Sequence, residues 1–437
     1  MRLQPVRLHL RPPMLAGAVF PPEERVPEYR SELLNVLDKR HYTHQITDAE
    51  RLDFLASQNV ISGYVGFDPT APSLHIGSLV QIMLLRRLQQ TGHKPIVVMG
   101  GGTGKVGDPS GRDESRQLLT DEVIAHNIAS QRPVFERLLT FAPEGEEGGP
   151  TDAVMVNNDD WLSGLGYLEL LRELGPHFTI NRMLTFESVK SRLDREQPLT
   201  FLEFNYMILQ AYDFRELAER YGCRLQMGGS DQWGNIVNGI ELTRRTGGPE
   251  LYGYTTPLLT TADGKKMGKT ASGAVWLNED LLPAYDFWQY WRNVDDRDVG
   301  RFLRLFTDID LAEIARLEKL EGGEINDAKI ALANAVTALV RGDDAAAKAE
   351  ATARETFAGG AGGDLPVLAV GDGMPLPAAL TAIGFTASNK EAKRKIAEGA
   401  VKLDEETLSD AAMVLSVGEG EQRRLSLGRK KHGIVTR

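Results

Sequence analysis

The stretch Tyr64-Val-Gly66-Phe-Asp68-Pro-Thr70-Ala-Pro-Ser-Leu-His75-Ile-Gly77-Ser78 reads as a strand ending at Phe67, a proline-punctuated turn, and a helix opened by His75 with a glycine in its first turn. Such a junction aims backbone N–H groups and the positive end of the helix dipole at whatever binds above the strand, and Gly77 lets a flat ring approach the backbone. This is the chemistry of an anion or nucleotide site, in which His75 is either a helix cap or a catalytic group. Lys266-Met-Gly-Lys269-Thr270 lies on a glycine-containing loop that starts near Thr260. Two lysines three apart, separated by a glycine, can fold around a polyphosphate, or they can form a solvated basic loop. Tyr206, Gln210 and Asp213 stand at i, i+4 and i+7 and so share one helix face. On an otherwise apolar segment, Phe201 to Tyr212, that row is either a solvated stripe or a buried polar set in need of partners.

The elements that must position these groups alternate. Strand-like segments at Ile61–Phe67, Pro95–Met99 and Ala153–Val156 are interleaved with amphipathic helices at Ile76–Gln90 and Thr120–Thr140. This order predicts an α/β, Rossmann-like catalytic domain with a parallel sheet, whose ligand crevice opens beyond the carboxyl ends of the strands. Helical periodicity then takes over, as in Leu311, Ile314, Leu317 and Leu320, and again in Ile330, Ala333, Val336 and Val340. The expected organisation is an N-terminal extension over 1–30, a catalytic domain over 31–280, an α-helical domain over 281–357, a Gly-rich linker over 358–374 and a small α+β module over 375–437. Residues 1–22 carry Arg2, Arg7 and Arg11 ahead of the first acid, Glu23, but three prolines by Pro13 spoil a transit helix. A disordered extension, or a start at Met14, is the expectation.

Two glycine motifs are rejected. Gly102, Gly104 and Gly107 spell GxGxxG, but a turn follows instead of a helix and no acidic residue closes a second strand about twenty residues on. Gly104-Lys105 fails as a phosphate loop because Val106 replaces Ser or Thr.

The strand-turn-helix stretch with its HIG motif, together with Lys266-Met-Gly-Lys269-Thr270, resembles the paired signature of class I aminoacyl-tRNA synthetases. Gly107-Asp108-Pro-Ser-Gly-Arg112, the Tyr206/Gln210/Asp213 row, Gly228-Gly229-Ser-Asp231-Gln232-Trp-Gly and Asn157-Asn158-Asp-Asp-Trp161 are similar to motifs of the bacterial tyrosyl-tRNA synthetases, in family order from about Ser31 to Arg437. The resemblance implies activation of L-tyrosine by ATP, with Mg²⁺ accompanying the nucleotide, followed by transfer to tRNA(Tyr). It assigns the phenol hydroxyl to Tyr64 and Asp213, and the ammonium to Tyr206, Gln210 and Asp108. Asn158 also joins the tyrosine site, and Gln232 lies near the reacting carboxylate. Gly66, Asp68, Thr70, His75, Gly77, Gly229 and Asp231 fall to ATP, although Asp231 also reads as a cap for the helix that follows. Lys266, Lys269, Thr270, His75, Arg112 and Arg116 are the groups that would meet charge growing on the leaving pyrophosphate. Ser78 stands where many relatives carry a second histidine, and Arg112 where lysine is common.

Composition agrees with an enzyme: 42% apolar and 25% charged residues, a mean hydropathy of −0.27, and no apolar run of bilayer-spanning length. A single cysteine, Cys223, rules out an intrachain disulfide or a cysteine metal cage and suits a cytoplasmic setting. Net charge is −11, yet from Lys390 to Arg437 eleven Lys or Arg face eight Asp or Glu, net +3. This tail resembles a small RNA-binding module of a ribosomal protein, with Lys393, Arg394, Lys395 and Lys402 as tRNA contacts; a solvated basic surface is the other reading. The family is homodimeric, which implies a dimer face near residues 160–190. Two rivals stand beside this reading. A tryptophanyl-tRNA synthetase should lack the GDPSG motif and the polar row. An RNA-binding protein on a synthetase scaffold should carry damaged HIG or KMGKT elements.

Overall fold

A computed structural model of the chain describes residues 28–109, 118–264, 267–270, 273–357, 365–404, 406–418, 420–428 and 431–437. These divide into two compact units: one takes in the described residues up to Met267 with Arg304–Phe306, the other Gly268–Leu303 and Thr307–Arg437. Residues 1–27 of the N-terminal extension, Arg112, Arg116, Lys266 and the glycines at 359–363 lie outside the described residues.

The first unit is built on six strands: β1 (Gln45–Ile46), β2 (Ser62–Phe67), β3 (Lys94–Met99), β4 (Val154–Asn157), β5 (Cys223–Gly229) and β6 (Tyr252–Thr256). Their order is β1-β6-β5-β2-β3-β4, parallel throughout except for the short edge strand β1. The chain runs outward from β2 to β4, then returns to the other side of β2 to lay down β5 and β6. A crevice therefore opens beyond the carboxyl ends of β2 and β5, where the direction of winding reverses. The central strands are apolar because both faces are covered: Ile96, Val97, Val98 and Met99 are all buried, as is Cys223 at the start of β5.

Five helices bear on the crevice. α1 (Ile76–Gln90) follows β2, α2 (Asp121–Leu138) is capped by the Thr120 hydroxyl, and α3 (Asp159–Leu162) is a single turn. α4 (Phe201–Tyr221) starts with a capping box in which Thr200 and Glu203 satisfy each other's backbone N–H, and it ends at Gly222 with φ 61°, the left-handed conformation glycine adopts without strain. Glu203 also receives Arg192 at 3.0 Å in a buried ion pair, which fixes the start of α4. α5 (Trp233–Arg245) packs along α4.

The second unit begins with a small hairpin, β7 (Lys269–Thr270) and β8 (Gly273–Ala274). Helices α6 (Ala284–Arg292), α7 (Ile325–Arg341) and α8 (Asp343–Phe357) pack on one another. Trp288 on α6 donates to Asn334 on α7 at 2.7 Å, and Asn334 in turn donates to Glu350 on α8 at 2.6 Å. The periodic run Leu311–Leu317 is helical, but Leu320 falls beyond its end.

Farther on, five strands lie in the order Glu406–Leu408, Val401–Leu403, Gln422–Leu427, Lys431–Thr436, Val367–Ala369. Helix α9 (Asn389–Ala397), capped by Ser388, buries Ala392 and Ile396 against this sheet. Val367–Ala369, which the sequence places in a linker, pairs in parallel with Lys431–Thr436. Its brevity, three residues among glycines and prolines, hides it from pattern reading.

Candidate functional site

The floor of the crevice is a chain of buried polar groups. Asp213, on the face of α4 toward the sheet, is 3% exposed. Trp161 Nε1 donates to its Oδ1 at 2.7 Å and Asn158 Nδ2 to its Oδ2 at 3.0 Å. Burial raises the Asp213 pKa to about 7, against the pull of those two hydrogen bonds. Asn158 Nδ2 also donates to Thr103 Oγ1 at 3.0 Å, and that hydroxyl donates to Asp68 Oδ1 at 2.8 Å. Tyr206 donates its hydroxyl to Asp68 Oδ2 at 3.1 Å. A second cluster joins Gln210, Gln232 and Asn235, and Gln232 Nε2 donates to Asp108 Oδ2 at 2.9 Å.

Tyr64, midway along β2, is 1% exposed and packs edge-on against Phe214 at 5.2 Å. Its hydroxyl is buried with no hydrogen-bond partner among the described residues. Burial, and then the charge of Asp213, push its pKa well above the usual phenol value. A lone buried hydroxyl costs free energy, so this atom asks for a ligand.

Tyr206, Gln210 and Asp213 do share a face, but Asp68, the Gln232/Asn235 pair, and Asn158 with Trp161 supply their partners from within the protein. Among the groups assigned to tyrosine, the Tyr64 hydroxyl is the one left without a partner among the described residues.

At the start of α1, His75 is the helix cap: its Nδ1 accepts the Gly77 N–H at 2.9 Å, which leaves the ring proton on Nε2. A Cβ at Gly77 would stand 2.7 Å from His75 Cε1, so the flat ring that glycine admits here is that of His75 itself. The Met267 carbonyl passes 3.7 Å from the same point. Gly66, within β2, and Thr70, in the turn after it, are exposed, Ser78 is half-buried in the first turn of α1, and Gly229 closes β5. Asp231 does not cap α5; it lies in a 3-10 turn, Ser230–Gln232, and α5 starts without a side-chain cap. Lys269 and Thr270 form β7.

The rejected glycine motif also finds its reason. A Cβ at Gly101 would fall 2.1 Å from Asn157 Oδ1, and the Gly102 N–H donates to Asn158 Oδ1 at 2.8 Å. The glycines seat two asparagine side chains against the backbone, and Thr103–Lys105 is a 3-10 turn. Lys105 closes that turn outward, 3.0 Å from both Asp121 and Asp159.

Sequence reasoning missed Thr103, Asn235 and the role of Trp161. Thr103 sat inside a motif set aside as non-functional. Asn235, three residues beyond Gln232, could have been found as a second polar position on one face of α5.

In the basic tail, Arg394 and Lys395 face Glu398 at 3.6 and 2.7 Å, while Lys393 is exposed on α9 and Lys402 lies on the strand Val401–Leu403.

Residues 56–358 match the family model for class I tRNA synthetases of the tryptophan and tyrosine type. The chain is similar to the tyrosine-tRNA ligase of Novosphingobium aromaticivorans, 67% identical over 410 residues that cover 93% of this chain and 99% of the relative. It is also similar to that of Zymomonas mobilis, 58% identical over 93% of this chain and 99% of the relative. Among solved structures, a C-terminally truncated Aspergillus nidulans mitochondrial tyrosyl-tRNA synthetase superposes with a TM-score of 0.66 at 29% identity, covering 74% of this chain and 94% of that one.

Proposed function

This chain belongs to the class I tRNA synthetases of the tryptophan and tyrosine type, and from that membership we infer that it is a tyrosine-tRNA ligase. It activates L-tyrosine with ATP and passes the tyrosyl group to tRNA(Tyr) in protein synthesis. A carboxylate oxygen of tyrosine bonds to the α-phosphorus of ATP as the bond to pyrophosphate breaks. A hydroxyl of the terminal ribose of tRNA then takes the acyl group and AMP leaves.

The observation that carries the tyrosine reading is the buried Tyr64 hydroxyl, unpartnered on the floor of a crevice that also holds Asp213. A phenol entering there pairs with Tyr64 and donates to Asp213. Its ammonium then lies toward Tyr206, Gln210 and Asp108, and its carboxylate toward Gln232. ATP takes Gly66, Asp68, Thr70, Gly77, Gly229 and Asp231, with its phosphates toward His75. No group of this chain attacks the substrate. Catalysis rests on orientation and on cations from Lys266, Lys269, Arg112 and Arg116, helped by hydroxyl donors from Thr270 and Ser78. Mg²⁺ arrives with ATP as part of the substrate and neutralises phosphate charge.

We further propose three domains: a Rossmann-like catalytic domain, the helical layer that holds the anticodon side of tRNA, and the C-terminal α+β module, which adds backbone contacts through Lys393, Arg394, Lys395 and Lys402. Cytoplasmic tRNA is the substrate, and no helix among the described residues is long and apolar enough to cross a membrane. A homodimer is supported by large apolar side chains left exposed within one segment of the first unit, Tyr167, Leu168, Leu171 and Ile180.

Tyrosine-dependent incorporation of labelled pyrophosphate into ATP tests the assignment. Tyrosine should support it and tryptophan should not; the reverse would move the chain to the other branch of its family.

A further inference from the structure

The last residue of α7 is a buried arginine far in sequence from every residue assigned above. Arg341 is 7% exposed, and its guanidinium donates to three backbone carbonyls of one irregular stretch: Leu277, Trp276 at 3.2 Å and Leu282 at 3.0 Å. The cation also lies over the ring of Phe287 at 5.0 Å, and Phe287 is fully buried on α6. A guanidinium suits this place because its fork carries five donors in a plane, enough to hold separate carbonyls at once while its flat face stacks on a ring.

That stretch is the continuation of the hairpin that carries Lys269. The Val275 N–H returns to the Gly268 carbonyl at 3.2 Å and closes the hairpin at its base. Val275 and Leu277 are then buried, 4% and 1% exposed, and the first two carbonyls after Val275 are those that Arg341 holds. The outgoing end of the lysine-bearing hairpin is therefore tied to the end of α7 by one side chain. α7 in turn packs on α6 and α8, so the tie reaches the whole helical layer.

We propose that Arg341 is a positioning residue for the reaction: by gripping the carbonyls of Trp276, Leu277 and Leu282 it fixes the base from which the Lys269 strand is presented. It thereby makes the position of that lysine depend on the helical layer. The proposal rests on the reading in which Lys269 meets the ATP polyphosphate. A lysine at 341 would keep the charge, but its single ammonium cannot span the same carbonyls.

The test uses full-length protein with Arg341→Lys, Arg341→Met and, as a milder change that removes the stacking face together with some core volume beside Trp291, Phe287→Leu. Amide hydrogen exchange is followed by mass spectrometry over residues 268–282, beside tyrosine affinity and the rate of tyrosine activation. Arg341→Lys should lose amide protection over 268–282 by about tenfold or more. The kcat for activation should fall by a similar factor while tyrosine affinity stays at the wild-type value. Phe287→Leu should shift both readouts in the same direction by less. Unchanged protection over 268–282 overturns the proposal, as does a loss of protection spread evenly over α6, α7 and α8. Lys269→Ala separates the underlying reading. If it keeps wild-type kcat while Arg341→Lys exposes the hairpin, the grip is real and the role assigned to Lys269 is wrong.

Discussion

Trp161 donates its indole N–H to Asp213 Oδ1 at 2.7 Å, inside a site where that carboxyl is 3% exposed. The contact holds the carboxyl in place but does not offset burial, and the Asp213 pKa is raised to about 7. An unfolded chain releases the same proton near 3.8. Between those values the folded protein binds a proton that the unfolded chain has lost, so stability falls as pH rises from about 4 to about 7, and this contribution is flat above that. Asp213→Asn should remove the slope. Thermal melts of both proteins from pH 4 to pH 8 check it, and parallel curves would refute the assignment.

Tyr64→Phe should have two opposite effects. Removing an unpartnered buried hydroxyl should leave the ligand-free protein as stable or more so, by up to about 1–3 kcal/mol. The same change should narrow the preference for tyrosine over phenylalanine by about 0.5–1.5 kcal/mol, the size of one neutral hydrogen bond. Melting temperature and the ratio of kcat/KM values read the two effects separately. Lower stability with unchanged discrimination would place the hydroxyl outside the pocket.

Thr103 links the two halves of the site, since one hydroxyl accepts from Asn158 and donates to Asp68. Thr103→Val keeps the volume and removes both bonds, leaving the buried Asn158 and the half-buried Asp68 each one partner short. Activation should fall by about tenfold or more, whereas Thr103→Ser should stay near wild type. Equal effects of Val and Ser would mean that the methyl group, not the hydroxyl, matters.

Removing residues 358–437 should spare tyrosine activation and weaken tRNA charging. The cut belongs ahead of Val367 because that strand pairs with Lys431–Thr436, and a break at Pro375 would leave it on the shortened protein without its partner strand. Full-length protein should lose tRNA affinity with salt more steeply than the shortened form, by about 0.7 in slope per lost phosphate contact on a single strand. Equal slopes with undiminished charging would make the basic helix α9 a solvated surface.

The parallel order of β2, β3 and β4 was legible because apolar runs of strand length alternate with capped amphipathic helices. The span Ile76–Gln90 emerges as expected because a proline turn and the His75 cap bound it. The polar row of α4 was legible as a face but not in its pairing, since Asn158 and Trp161 come from 52 residues or more away and spacing along one helix cannot reveal them. Thr103 was hidden for a related reason. Its glycine neighbours reflect the asparagines that press on the backbone from the end of β4 and the residue before α3, a contact made only in three dimensions. The grip of Arg341 on Leu277 and its neighbours has no sequence signal at all, because backbone carbonyls look alike at every position.

Cys223 opens the central strand β5, is fully buried, and burial lifts its thiol pKa to about 12. The native protein should therefore ignore alkylating reagents, since only a thiolate reacts and only an accessible one can. As the chain has no other cysteine, any label it acquires marks a molecule whose central sheet has opened. Intact mass after timed exposure to iodoacetamide turns this one side chain into a clock for opening of the catalytic sheet, readable in a cell lysate without engineering. Tyrosine and ATP should slow that clock in proportion to how far they stabilise the closed form.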